Sequence, residues 1–109
     1  FDPVHAGHLA VARAVRAAFG IAPAFVPAAD PPHRAAPGAS AAQRTRMLEI
    51  ALAAEPGFRV DTRELRRHGP SWTVGTLREL RAEAGPEAPL AWVLGADSFR
   101  GLPAWHEWE

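Results

Sequence analysis

The chain is 109 residues long and 48% apolar, with 12 basic and 12 acidic residues and no formal net charge. That is enough for one modest core, and the balanced surface argues against a field that draws a protein onto nucleic acid or a membrane. With no cysteine, disulfides, thiolate metal sites and a cysteine nucleophile are excluded.

Gly7 to Phe19 reads as a helix with Val11, Ala12, Val15 and Phe19 on one face and Arg13 and Arg16 away from it, stopped at Gly20. Ala24 to Pro27 is a short apolar run that predicts a strand. Ala28 to Ala39 is a proline-rich loop that continues neither a helix nor a ladder. Ser40 and Gln43 form a capping box that opens a helix running to about Ala54. Phe58 to Asp61 predicts a second strand, and Thr62 to Pro70 is polar and irregular. Ser71 is expected to cap a third helix with Thr73, Leu77, Leu80 and Ala84 on one stripe and Gly85-Pro86 at its end. Leu90 to Leu94 reads as a parallel strand buried on both faces, followed by short helices.

Helix and strand alternate, which predicts an α/β fold: a doubly wound parallel sheet with helices on both faces. In such folds ligands bind beyond the carboxyl ends of the strands. That directs attention to the segments 2–8, 28–34, 61–73 and 95–97. No apolar run approaches a membrane span and no charged-then-apolar leader opens the chain, so a cytoplasmic protein is expected. Every basic residue is Arg, which reads as coding bias. Phe1 opens the chain without Met, and Trp108-Glu109 close it inside a helical pattern; both ends predict a piece of a longer chain.

His5-Ala6-Gly7-His8 is the segment richest in chemistry. Two imidazoles at the start of a helix stand beside free backbone N–H groups and the positive end of the helix dipole, which attract phosphate. Gly7 lets a flat base approach the backbone. The alternatives are two ordinary loop histidines, or a metal site without nearby carboxylates. Arg44 shares a stripe with Met47, Leu48 and Ala51, so it points inward and needs an anion, either a structural acid or a ligand phosphate.

Phe1-Asp2-Pro3-Val4-His5-Ala6-Gly7-His8-Leu9 resembles the H-x-G-H motif of the nucleotidylyltransferase superfamily. Pro31-Pro32-His33-Arg34, Arg44 with Met47-Leu48, Glu64-Leu65, Ser71-Trp72-Thr73 with Thr76-Leu77, Gly95-Ala96-Asp97-Ser98 and Pro103-Ala104-Trp105 follow in that order. Their collinearity resembles the bacterial nicotinate-mononucleotide adenylyltransferase branch along essentially the whole chain.

The resemblance implies a truncated Rossmann-like nucleotidylyltransferase domain over residues 1–109. Its reaction would be adenylyl transfer from ATP to nicotinate mononucleotide, with Mg²⁺ carried on ATP and no dedicated metal cage. It assigns His5 and His8 to catalysis, and Phe1, Asp2, Gly7, His8 and Asp97 to ATP. It gives the acceptor nucleotide His33, Arg34, Arg44, Thr73 and Trp105, with the Trp105 ring stacked on nicotinate.

Each assignment has a plainer counterpart. His33-Arg34 would be a solvated loop, Asp2 a loop cap, Asp97 a helix cap with Ser98, Thr73 a cap and Trp105 a core residue. Trp72 stands where the family most often has Tyr, and Ala28-Ala29 where Asn is common. The two glycines and a Thr or Ser that normally precede the Phe in that family, and its downstream Ser/Thr-rich segment with an Arg, are absent from this sequence, which predicts that the isolated chain is inactive. A sister enzyme acting on nicotinamide mononucleotide or phosphopantetheine, and a nucleotide-binding module without turnover, are the rival expectations.

Overall fold

The computed structural model describes residues 1, 3–29 and 38–109. They form two compact units, Phe1–Pro70 and Ser71–Glu109.

In the first unit, helix α1 runs Ala6–Phe19 and ends on Gly20, whose left-handed backbone (φ 68°) donates its N–H to the Arg16 carbonyl. A residue without Cβ takes that conformation at little cost, so the predicted stop holds. The buried face differs from the predicted one. Ala12 is buried and Leu9 packs on the core, whereas Val11 and Phe19 are exposed. Arg16 is half-buried and lays its guanidinium 4.5 Å over the Phe58 ring. A long cationic side chain can cover apolar surface with its stem and ring face, which a count of apolar residues overlooks.

Strands β1 (Ala24–Phe25) and β2 (Arg59–Val60) pair in parallel, Ala24 opposite Arg59 and Phe25 opposite Val60. The Asp61 N–H adds one bond of 2.7 Å to the Phe25 carbonyl. Between them runs α2 (Ala41–Leu52), opened by the predicted capping box. Gln43 N–H donates to Ser40 Oγ, and Ser40 N–H donates to Gln43 Oε1. Arg44, Leu48 and Leu52 recur at four-residue spacing and are all buried, so α2 sets one stripe against β2.

The core is Ala12, Phe25, Leu48 and Leu52, flanked by Phe1, Val4, Leu9, Phe58 and Val60. Arg13 and Arg16 both pair with Glu55, and Arg16 also donates to the Pro56 carbonyl, fastening α1 to the end of α2. The stretch expected to be irregular contains one helical turn, α3 (Arg63–Arg66), where Asp61 accepts the Arg63 backbone N–H and grips its guanidinium. A carboxylate just ahead of a turn satisfies an N–H that would otherwise be orphaned, and propensity alone does not reveal it.

The second unit contains α4 (Thr73–Ala84), α5 (Ala96–Arg100) and a 3-10 turn (Leu102–Ala104). Ser71 is not the cap of α4: Trp72 holds that position, with no side-chain capping bond. The buried residue of α4 is Thr76, and Gly85 closes the helix as predicted. Residues 90–94 form no strand in this structure, and Leu90 and Val93 are exposed. An apolar run becomes a strand only when a neighbour takes up its backbone groups, and none of the described residues does so. Nor do the last residues continue a helix, since Glu107 has a positive φ of 49°.

The fold class is that predicted from the alternation, α/β with a parallel pairing across a helical crossover.

Candidate functional site

Phe25, 5% exposed on β1, carries a train of rings to the start of α1. The Phe1 ring tilts on Phe25 at 5.5 Å, His8 meets Phe1 edge-on at 4.8 Å, and His5 stacks on His8 at 3.8 Å and 24°. The pair is thus tied through Phe1 to the packed core, with His8 half-buried and His5 exposed.

The same two side chains cap the helix reciprocally. His5, extended at φ −144° and ψ 173°, is the N-cap, and its Nδ1 accepts the Gly7 N–H at 3.1 Å. His8 Nδ1 accepts the His5 N–H at 3.1 Å. This is a capping box written with imidazoles in place of a hydroxyl and a carboxamide. The signal lay in the sequence, an acceptor followed by another three residues later, the same spacing as Ser40 and Gln43. A Cβ on residue 7 would sit 3.0 Å from His5 Nδ1 and Cε1, so a side chain there would press on the ring that folds over it. The His8 pKa lies below its ordinary 6.5, first because burial disfavours its charged form, then through repulsion from His5.

Arg44 is 3% exposed on α2. Among the described residues its partners are neither an acid nor a ligand. Nη1 donates to the Ala28 carbonyl at 2.6 Å, and Nε to the Ala39 carbonyl at 3.3 Å. The guanidinium therefore joins the chain after β1 to the chain before α2. Those two bonds use two of its five N–H donors. Asp2, His33 and Arg34 lie outside the described residues.

Within the second unit, two predicted pieces come together. Trp72, at the head of α4, stacks on His106 at 4.8 Å and 28°. This brings Ser71-Trp72-Thr73 beside Trp105-His106-Glu107. Thr73 is the first residue of α4, and Trp105 follows the 3-10 turn, donating its N–H to the Leu102 carbonyl; both are half-buried. Two Arg78–Glu107 contacts of 3.2 Å and a His106–Glu107 contact of 3.4 Å hold the far side. His106 was not singled out from sequence, because a lone histidine between two tryptophans carries no spacing signal. Asp97 lies in the first turn of α5, exposed, with Gly95 as the N-cap. A Cβ on Gly95 would meet its Oδ1 at 2.8 Å, so the carboxylate leans over the glycine. Among the described residues, no three His, Asp or Glu side chains gather to hold a metal ion.

The cytidylyltransferase-like family matches residues 1–109. Proteins named "probable nicotinate-nucleotide adenylyltransferase" match the whole chain at 60% identity in Stenotrophomonas maltophilia, 52% in Xylella fastidiosa and 51% in Aeromonas hydrophila. The chain covers 51% of each of these proteins, spanning about half the length of the curated relatives it matches. The parallel β1–α2–β2 unit is consistent with a Rossmann-like nucleotidylyltransferase fold. With its histidine pair at the head of α1, the chain belongs to the cytidylyltransferase-like family.

Proposed function

We propose that the full-length protein transfers the adenylyl group of ATP to nicotinate mononucleotide, producing deamido-NAD and pyrophosphate. The observation that carries this reading is the paired imidazoles at the head of α1, seated on a ring train from the core. The names of the relatives support the choice of acceptor.

In this reaction a phosphate oxygen of the mononucleotide attacks the α-phosphorus of ATP in line. The new P–O bond forms as the bond to the β-phosphate oxygen breaks, and pyrophosphate leaves with that electron pair. No covalent enzyme intermediate is needed, so the protein supplies position and charge stabilisation. His5 and His8, with the N-terminus of α1, stabilise the charge developing on the α-phosphoryl oxygens. Phe1, Asp2, Gly7 and Asp97 serve the ATP site. His33, Arg34, Arg44, Thr73 and Trp105 serve the acceptor, with Trp105 stacking on the nicotinate ring. Mg²⁺ enters on the triphosphate as part of the substrate and offsets the charge of the leaving pyrophosphate.

No described helix is long and apolar enough to cross a membrane, and a cytoplasmic location is part of the proposal, as is the absence of a nucleic-acid partner. His8→Ala in the full-length protein tests the catalytic assignment: deamido-NAD formation followed by mass spectrometry should fall about 100-fold or more, and a full-rate variant would remove His8 from the mechanism.

A further inference from the structure

We propose that the start of α1 holds His5 and His8 as neutral Nε2–H tautomers, so that the pair meets the reacting phosphate as two fixed hydrogen-bond donors and not as imidazolium cations. The inference rests on the adenylyl-transfer reading for its chemistry, and on the capping geometry for the state of the rings.

A neutral imidazole has one nitrogen that donates and one that accepts. His5 Nδ1 lies 3.1 Å from the Gly7 N–H, and His8 Nδ1 lies 3.1 Å from the His5 N–H. Both Nδ1 atoms face donors, so each must present its lone pair, and in each ring the proton belongs on Nε2. Among the described residues neither Nε2 has a hydrogen-bond partner; by ring geometry each points away from the backbone donor that its Nδ1 accepts. Protonating either ring at Nδ1 would set N–H against N–H and remove one half of the cap. The rings are also stacked at 3.8 Å, where two cations would repel with little water between them.

One backbone arrangement thereby does two tasks. The N–H groups that would attract phosphate at a bare helix start are partly taken by the rings, which pass donor capacity outward through Nε2. The donors are preorganised, because turning either ring breaks a capping bond, and preorganised donors are the kind that stabilise developing charge most. Gly7 belongs to the same device, since its missing side chain leaves room for the His5 ring.

Long-range proton–nitrogen correlation spectra of the full-length protein labelled with ¹⁵N-histidine would test the tautomers directly. Both rings should show an unprotonated Nδ1 and a protonated Nε2 at about pH 7 and above, around the usual imidazole range. An Nδ1–H tautomer or an imidazolium in either ring at about pH 7 would overturn the proposal. This readout needs no turnover: correct spectra without adenylyl transfer would defeat the functional reading alone, and incorrect spectra with full transfer would defeat this inference alone. A substitution pair adds a second arm. His8→Asn keeps an acceptor near the Nδ1 position, and His8→Gln keeps an N–H donor near the Nε2 position. The Asn variant should retain more thermal stability and the Gln variant more turnover, by about tenfold or more. The opposite order of turnover would overturn the donor role.

Discussion

The His5 ring approaches to 3.0 Å of the point where a Cβ on residue 7 would lie, so one methyl group can test whether ring placement matters. Gly7→Ala should push the ring off its capping bond, while residue 7, inside α1, is conformationally suited to alanine. Turnover is predicted to fall about tenfold or more, since small misplacements of catalytic groups are costly, while the lost capping bond and the helix preference for alanine over glycine offset each other in the melting temperature. Steady-state rates and thermal melts of the same preparation check this; unchanged turnover would show that the ring need not hold its capped position. Gly95 stands in the same relation to Asp97, whose Oδ1 would meet a Cβ there at 2.8 Å. At this scale the sequence was legible where residue type and chemistry coincide, as in the histidine pair. It was not legible where a side chain serves the backbone. The anion sought for Arg44 is, among the described residues, a pair of main-chain carbonyls, and no pattern of residue types specifies a carbonyl.

Arg44 links residue scale to element scale, because its two bonds hold Ala28, beyond β1, and Ala39, before α2. Removing a buried charged donor leaves both carbonyls to find water and loses the packing of the stem. Arg44→Ala should destabilise the first unit by about 2–4 kcal/mol, read as a shift in the urea midpoint. Arg44→Lys should recover little, since an ammonium lacks the planar fork that reaches two acceptors at once; a Lys variant of native stability would show that charge alone suffices.

The turn between β2 and α3 gives a pH-dependent counterpart. Asp61 is held below the ordinary carboxylate value of 3.8 chiefly by hydrogen bonding from the Arg63 guanidinium, then by its backbone N–H and the charge of Arg63, against the opposing effect of burial. A carboxylate depressed in the folded state contributes stability that is fully present above its unfolded value and is lost as pH falls through the folded one. Stability should therefore drop below about pH 4, and Asp61→Asn should flatten part of that acid limb. The remaining slope includes Glu55, held low first by its hydrogen bond from Arg13. Denaturant midpoints at neutral and acid pH decide it, and an unchanged acid limb in Asp61→Asn would contradict the linkage. Elements with their own local signals were legible: the Gly20 stop, the Ser40–Gln43 box and the Gly85 end. Residues 90–94 were not, because strand formation depends on a hydrogen-bonded neighbour that an apolar run cannot name. The head of α4 was misassigned to Ser71 because a residue favoured at caps need not occupy the cap.

For the whole molecule, the α/β class followed from alternation, and the family followed from weak motif pieces in the right order. Composition and charge set limits but selected no chemistry. The two compact units each assemble part of the resemblance, the histidine pair in one and the Trp72–His106 junction beside Thr73 and Trp105 in the other. The most direct measurement is pyrophosphate release by the full-length protein given ATP, Mg²⁺ and, in turn, nicotinate mononucleotide, nicotinamide mononucleotide and phosphopantetheine. Release with nicotinate mononucleotide well above the other two is the predicted result. Release with another acceptor alone would keep adenylyl transfer and contradict the proposed substrate, and no release with any of the three would contradict the enzymatic reading.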